Sequence, residues 1–261
     1  MDKITTCVFD AYGTLFDVNA ACRELSKEVG NKWNELSTLW RLRQVEYTWL
    51  RNSMKEYIDF WKITSDALDY AMETLNIKNI QLRDELLSLY LKLEAYPEVK
   101  SVLKNIKNMG LKTAILSNGN NKMLESAVIN ADIKTLLDEI LSVEECKVYK
   151  PASVVYDLVE KKMGVNKQNV LFFSSNAWDM HAASNYGFKT IWVNRFDSTL
   201  EKLPGKPDQI INSLEQIEKI LSQIFVRTNV LKISYLEFIA KKDTEINVNC
   251  ISNWFVWVSW L

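Results

Sequence analysis

The chain has 261 residues, 48% of them hydrophobic and 25% charged, enough apolar material for one large domain or a core with a smaller companion. Its 32 Lys and Arg against 33 Asp and Glu leave a net charge of -1, without the basic footprint of a nucleic-acid binder. A single histidine, His181, and four cysteines, Cys7, Cys22, Cys146 and Cys250, with no C-x-x-C spacing exclude the usual zinc sites and argue against a Ser-His-Asp system unless His181 is its base. A hydrolase of this composition must work with carboxylates, bare or holding a metal.

The opening MDKITTCVFDAYGT lacks the apolar stretch of a signal peptide, and no run approaches the roughly 18 apolar residues of a membrane span. A soluble, cytoplasmic protein with reduced thiols is expected, with no membrane or nucleic-acid partner. The run TTCVF predicts a first strand ending at Asp10. From residue 17 to 95 there is one glycine and no proline, so several packed helices are expected after that strand. Leu36, Leu39, Trp40, Tyr47, Leu50 and Met54 recur at spacings of three and four, with a gap bridged by Arg43, and predict a packing stripe. Pro97 marks the return to the core.

From there a rhythm of helix, glycine, short strand and loop repeats as KNMG-LKTAILSNG, KKMG-VNKQNVLFFSSN and SNYG-FKTIWVN. Gly110, Gly164 and Gly187 fall where helix ends belong. Short apolar strands alternating with helices predict an α/β fold, a parallel sheet with helices on both faces. The amphipathic SLEQIEKILSQI closes this region. The expected partition is a core of residues 1–16 and 96–222, a helical insertion over 17–95, and a tail over 223–261. In the tail, Ile246, Val248 and Cys250 alternate like a strand, and three of nine tryptophans fall in the last eight residues.

Parallel sheets bind ligands at the carboxyl ends of their strands, which selects four segments. Asp10, followed by Ala11, Tyr12, Gly13 and Thr14, is placed to be a nucleophile beside a tight turn, or simply to cap that turn. Ser117-Asn118-Gly119 can cradle a small anion, though such a turn also serves structure alone. Lys150, before a proline that can start the helix carrying Tyr156, can neutralise a carboxylate or stay solvated. Ser174, Ser175, Asn176 and Asp179 crowd a strand end beside Trp178.

In this order the phrases FDAYGTLFDV, WRLRQVEYTWLR, DFWKITSDAL, LSNGN, YKP and SSNAWD resemble the haloacid dehalogenase superfamily, and within it the L-2-haloacid dehalogenases, over residues 3 to 222. The resemblance implies a Rossmann-like core with a helical cap over 17–95. It implies hydrolysis of L-2-haloalkanoic acids to D-2-hydroxy acids with inversion, through an ester on Asp10, with no cofactor and no metal. Thr14 and Lys150 would position and charge-balance Asp10, while Asp179 would help water attack the ester. Ser174 and Asn176 would orient these groups, with Tyr156 packed nearby. Arg41 would receive the halide, with Arg43 as the fallback and Arg51 a surface charge. Ala11, Ser117 and Asn118 would contact the substrate, and Tyr12, Phe60 and Trp178 would line its alkyl pocket.

Phosphatases of the superfamily use D-x-D and further magnesium-binding acids. Here the second acid is replaced by Tyr12, and only Asp179 remains acidic in the later phrase, losses that suit a halide leaving group, which needs no proton. A magnesium-dependent phosphatase and a catalytically silent binder of small carboxylic acids are the alternatives. Leu42 and Val45 replace a glutamine and a larger aliphatic common in relatives, and both bear on which chain lengths fit. His181 reads as a surface or packing histidine, since Asp179 fills the base role. Relatives are commonly dimers, so a homodimer is among the assemblies the resemblance allows.

Overall fold

Four of the apolar runs read from the sequence become strands, and two less apolar segments join them in one parallel sheet. A computed structural model describes residues 4–223. Among the described residues, those up to Gln216 form one unit and those from Ile217 onward belong to a second. In the first, the strands are β1 (Thr6–Phe9), β2 (Lys112–Ser117), β3 (Glu139–Ser142), β4 (Val170–Ser174), β5 (Lys189–Val193) and β6 (Gln209–Ile211), in the spatial order β3-β2-β1-β4-β5-β6. Every residue of β1 and β4 is buried, as expected where helices cover both faces. Phe9 pairs with Ile115 on one side and Phe173 on the other, so Asp10, Ser117 and Ser174 arrive at one sheet edge. The strand order reverses around β1, which opens a crevice there.

Helices α1 (Ala20–Glu24), α2 (Ser26–Val29), α3 (Trp33–Met54), α4 (Phe60–Thr74) and α5 (Ile80–Tyr90) lie between β1 and β2 in the chain. The backbone leaves and re-enters side by side: Asp17 N–H donates to Glu94 O at 3.0 Å and Tyr96 N–H to Leu15 O at 2.9 Å. Asp59 caps α4 by accepting from the backbone of Trp61 and Lys62, a contribution of about 1 kcal/mol. Ile63, Ala67, Leu68 and Ala71 of α4 are buried at helical spacing, each large aliphatic contributing roughly 1.5–3 kcal/mol. Trp40 of α3 donates its indole N–H to Thr64 O at 2.8 Å. The sheet is flanked by α6 (Val99–Asn108), α7 (Asn121–Asn130), α8 (Ser153–Met163) and α9 (Ala177–Tyr186). Gly164 and Gly187 end α8 and α9 with left-handed backbone. No helix among the described residues is long and apolar enough to cross a membrane.

Three expectations are corrected. The stripe on α3 does not continue through Tyr47, Leu50 and Met54: after Leu36 and Trp40 the buried positions are Gln44 and Thr48, while Leu50 and Met54 are exposed. The inward face turns polar there because Gln44 meets the Thr64 hydroxyl of α4 at 2.8 Å. Pro151 does not begin a helix, since α8 starts at Ser153 behind Ala152. Finally, β3 and β6 extend the sheet beyond the strands read from the sequence. In the second unit, residues 217–223 are helical. The strand expected over 246–250 and the tryptophan-rich end lie outside the described residues.

Candidate active site

Asp10 follows β1 directly, its N–H still bonded to Phe173 O at 2.9 Å, so the sheet ladder fixes its backbone. Gly13, at φ +90°, turns the chain so that Thr14 folds back, and such a backbone favours glycine. The Thr14 hydroxyl donates to Asp10 Oδ2 at 3.0 Å and accepts from Ser175 N–H at 2.8 Å. Asn176 Nδ2 donates to the same oxygen at 2.8 Å and to Tyr12 O at 3.1 Å. Lys150 Nζ donates to the other oxygen, Oδ1, at 3.1 Å. The carboxylate therefore accepts from three side chains and is itself nearly buried.

Lys150 is 1% exposed and bridges two acids, reaching Asp179 Oδ2 at 2.7 Å. Burial works against its charge, but Asp10 and Asp179 outweigh burial and hold its pKa above the ordinary value. Asp179 is fully buried in the first turn of α9. Tyr156 donates to its Oδ1 at 2.7 Å, and Ser174 to its Oδ2 at 3.1 Å. Burial pushes the Asp179 carboxyl up to about 6; Lys150 opposes this and Asp10 adds to it. Asp10, Thr14, Lys150, Tyr156, Ser174, Asn176 and Asp179 thus form one connected network.

Beside the network is a small, partly enclosed cavity, lined by Asp10, Tyr12, Arg41, Val45, Phe60, Ser117, Asn118, Asn176 and Trp178. Arg41 reaches it from α3, donating through Nη2 to Tyr12 O and Asn176 Oδ1, each at 3.2 Å. Ser117 Oγ accepts from Gly119 N–H at 3.1 Å, and Asn118 Oδ1 accepts from Lys150 N–H at 2.9 Å. Tyr12 stacks on Tyr90 at 5.7 Å and tilts against Phe60 at 5.9 Å. Position 119 needs glycine for a spatial reason: a Cβ there would lie 2.8 Å from the Tyr12 ring. Burial raises the Tyr12 hydroxyl well above its usual pKa, so it is a poor acid.

Of the residues selected from the sequence, Ala11 is absent from the cavity wall; it is buried, and its carbonyl accepts from the backbone of Thr14, Leu15 and Phe16. Leu42 is 56% exposed and also off the wall, so of the two departures only Val45 can affect chain length. Arg43 turns away to Glu46 and Tyr70, and Arg51 to Glu56 O. His181 Nδ1 meets Gly205 O at 2.9 Å. The wider cleft, about 640 Å³, includes His181, Trp49 and Leu203 but no carboxylate. Asp10 and Arg41 converge on the smaller cavity, and Trp178 borders both.

Sequence reading missed several supports. Arg195 Nη2 donates to Thr14 O at 2.9 Å and Trp192 Nε1 to Ser175 O at 3.2 Å. Asn52 of α3 exchanges two hydrogen bonds with the Tyr149 backbone, at 2.8 and 2.9 Å. Gln44, three residues after Arg41 on one helix face, was findable from spacing alone.

Among the described residues no group of three or more His, Cys, Asp or Glu is arranged to hold a metal. The position between Asp10 and Asp179 is taken by the Lys150 ammonium.

Residues 4–187 match the family model for haloacid dehalogenase-like hydrolases. The chain is similar to (S)-2-haloacid dehalogenase 1 of Pseudomonas sp. (strain CBS-3), at 41% identity over 86% of this chain and 99% of that one. It is 33% identical to haloacetate dehalogenase H-2 of Moraxella sp. (strain B), over 85% of this chain and all of that one. Among solved structures it is similar to L-2-haloacid dehalogenase from Xanthobacter autotrophicus with chloropropionic acid covalently bound, with TM-score 0.78 and 33% identity over 84% of this chain and 98% of that one.

Proposed function

The chain belongs to the haloacid dehalogenase-like hydrolases, and from that premise we propose that it hydrolyses small L-2-haloalkanoic acids to D-2-hydroxy acids through an ester on Asp10. The observation that carries this reading is Asp10 itself, a carboxylate oriented by three donors in a cavity that also holds Arg41. An oxygen of Asp10 attacks the halogen-bearing carbon in line; a C–O bond forms, and the C–X bond breaks with its electron pair leaving as halide toward Arg41. The covalently bound chloropropionic acid in the Xanthobacter autotrophicus relative supports an intermediate of this kind.

Water then attacks the ester carbonyl of Asp10 and Asp179 takes its proton. The acyl–oxygen bond breaks, the departing alkoxide takes the proton held by Asp179 and leaves as the hydroxy acid, and the remaining water proton passes to solvent, restoring the Asp10 carboxylate. Ser117, whose oxygen already accepts from Gly119, has its hydroxyl proton for the substrate carboxylate. Tyr12, Phe60 and Trp178 enclose the alkyl group, and residues 17–95 serve as the cap that brings Arg41 over the core. The free thiols of Cys7, Cys22 and Cys146 fit a cytoplasmic setting.

The phosphatase alternative fits the site less well. It needs an acid where Tyr12 stands, and burial makes the Tyr12 hydroxyl a poor one. A silent binder has no use for a nucleophile and a halide acceptor together. The deciding assay is halide release from L-2-chloropropionate with a chelator present. Sustained release of halide and D-lactate is expected; no release, together with phosphomonoester hydrolysis on adding magnesium, overturns the reading.

The pH profile gives a second test. Asp179 must be ionised to accept a proton; burial and the charged Asp10 raise its pKa to about 6, and loss of the Asp10 charge in the ester lowers it, so steady-state turnover falls as pH drops below that value. Ester formation does not use Asp179, so the burst of halide in the first turnover should persist there. A steady-state rate that stays flat well below this pH removes Asp179 as the base.

A further inference from the structure

Gln44 is 1% exposed in the middle of α3, and both ends of its amide are engaged. Oε1 accepts from Arg41 Nη1 at 2.8 Å and from the Tyr90 hydroxyl at 3.1 Å, while Nε2 donates to Thr64 Oγ1 at 2.8 Å. The direction of the amide follows from Thr64. Its hydroxyl proton is committed to Phe60 O at 2.7 Å, so its oxygen can only accept from Gln44. The nitrogen must face Thr64, and the oxygen must face Arg41.

Arg41 is thereby aimed by three neutral oxygens: Gln44 Oε1, Tyr12 O and Asn176 Oδ1. It makes no ion pair among the described residues. A carboxylate at position 44 would have the same shape and reach, but would cancel the charge an anion acceptor needs. Resting on the dehalogenase reading, we propose that Gln44 is a positioning residue that fixes the Arg41 guanidinium through a neutral acceptor and so keeps its full charge for the departing halide.

The test compares Gln44→Glu and Thr64→Val with the wild type, using single-turnover halide release from L-2-chloropropionate and L-2-bromopropionate. Thermal midpoints report folding. Chloride is the poorer leaving group and depends more on electrostatic help. In Gln44→Glu its release should slow about a hundredfold, bromide release should slow less, and the bromide-to-chloride rate ratio should rise. Thr64→Val is nearly isosteric and leaves the amide free to turn. It should slow chloride release about tenfold with the same change in ratio, and it carries the test if Gln44→Glu does not fold.

A loss equal for both halides, or no loss, in a folded variant overturns the proposal, since a packing role would not depend on the leaving group. Wild-type enzyme that releases neither halide overturns the dehalogenase reading and this proposal with it.

Discussion

Asp10→Ala should abolish halide release, lowering turnover by at least about ten-thousandfold, the scale on which a covalent nucleophile is lost. The protein should stay folded. Lys150 loses one of its two acidic partners but keeps Asp179 at 2.7 Å, so the buried charges pass from two acids and one base to one of each. What is forfeited is the acceptor for Thr14 and Asn176, about 1–3 kcal/mol if water does not replace it. Asp10 is also one of the groups raising Asp179, so the Asp179 pKa should move down in the variant. The measurement is halide release alongside intact mass after substrate is added, which detects the ester on wild-type protein. Halide release by the variant near the wild-type rate would assign the attack to another group.

Lys150→Met should be damaging in a different way. The ammonium lies between Asp10 and Asp179, 3.1 and 2.7 Å away, with almost no exposure of any of the three. Removing it leaves two buried carboxylates facing each other, a destabilisation of about 3–5 kcal/mol at neutral pH, with a rate loss of roughly a thousandfold as Asp10 loses its orientation. The pH dependence has a definite sign. Without Lys150, burial and Asp10 push Asp179 above its present value of about 6, further from the ordinary 3.8. A carboxyl with a raised folded pKa holds its proton more tightly when folded. Its destabilising effect therefore grows as pH rises from the ordinary carboxylate range through the folded pKa. Urea denaturation should show the deficit against wild type shrinking in acid. A deficit unchanged with pH would mean that the loss is one of packing.

Much of the arrangement could be read from the sequence because it depends on local pattern. Asp10, Ser117 and Ser174 each end a short apolar run, and the parallel register brings the three ends to one edge. The edges of the sheet were less legible. In β3 only Ile140 and Leu141 are apolar, between Glu139 and Ser142, and β6 has three residues, too little for a period to register. On α3 the apolar pattern misleads, because the face that packs inward meets the hydroxyls of Thr64 and Tyr90 and is polar for that reason. The bond from Arg195 to Thr14 O joins positions 181 apart, and nothing local announces it.

The two cations sit at different ends of the reacting region, Lys150 behind Asp10 and Arg41 across the cavity. At neutral pH the four formal charges, Asp10 and Asp179 against Lys150 and Arg41, sum to zero before substrate arrives. On the proposed reaction, ester formation removes one negative charge from beside Lys150 and sets it down, as halide, beside Arg41. The total is unchanged throughout, and no proton has to enter or leave. The first half of the reaction is then a migration of charge between two fixed countercharges, and its rate should be insensitive to buffer identity and to replacement of solvent by heavy water.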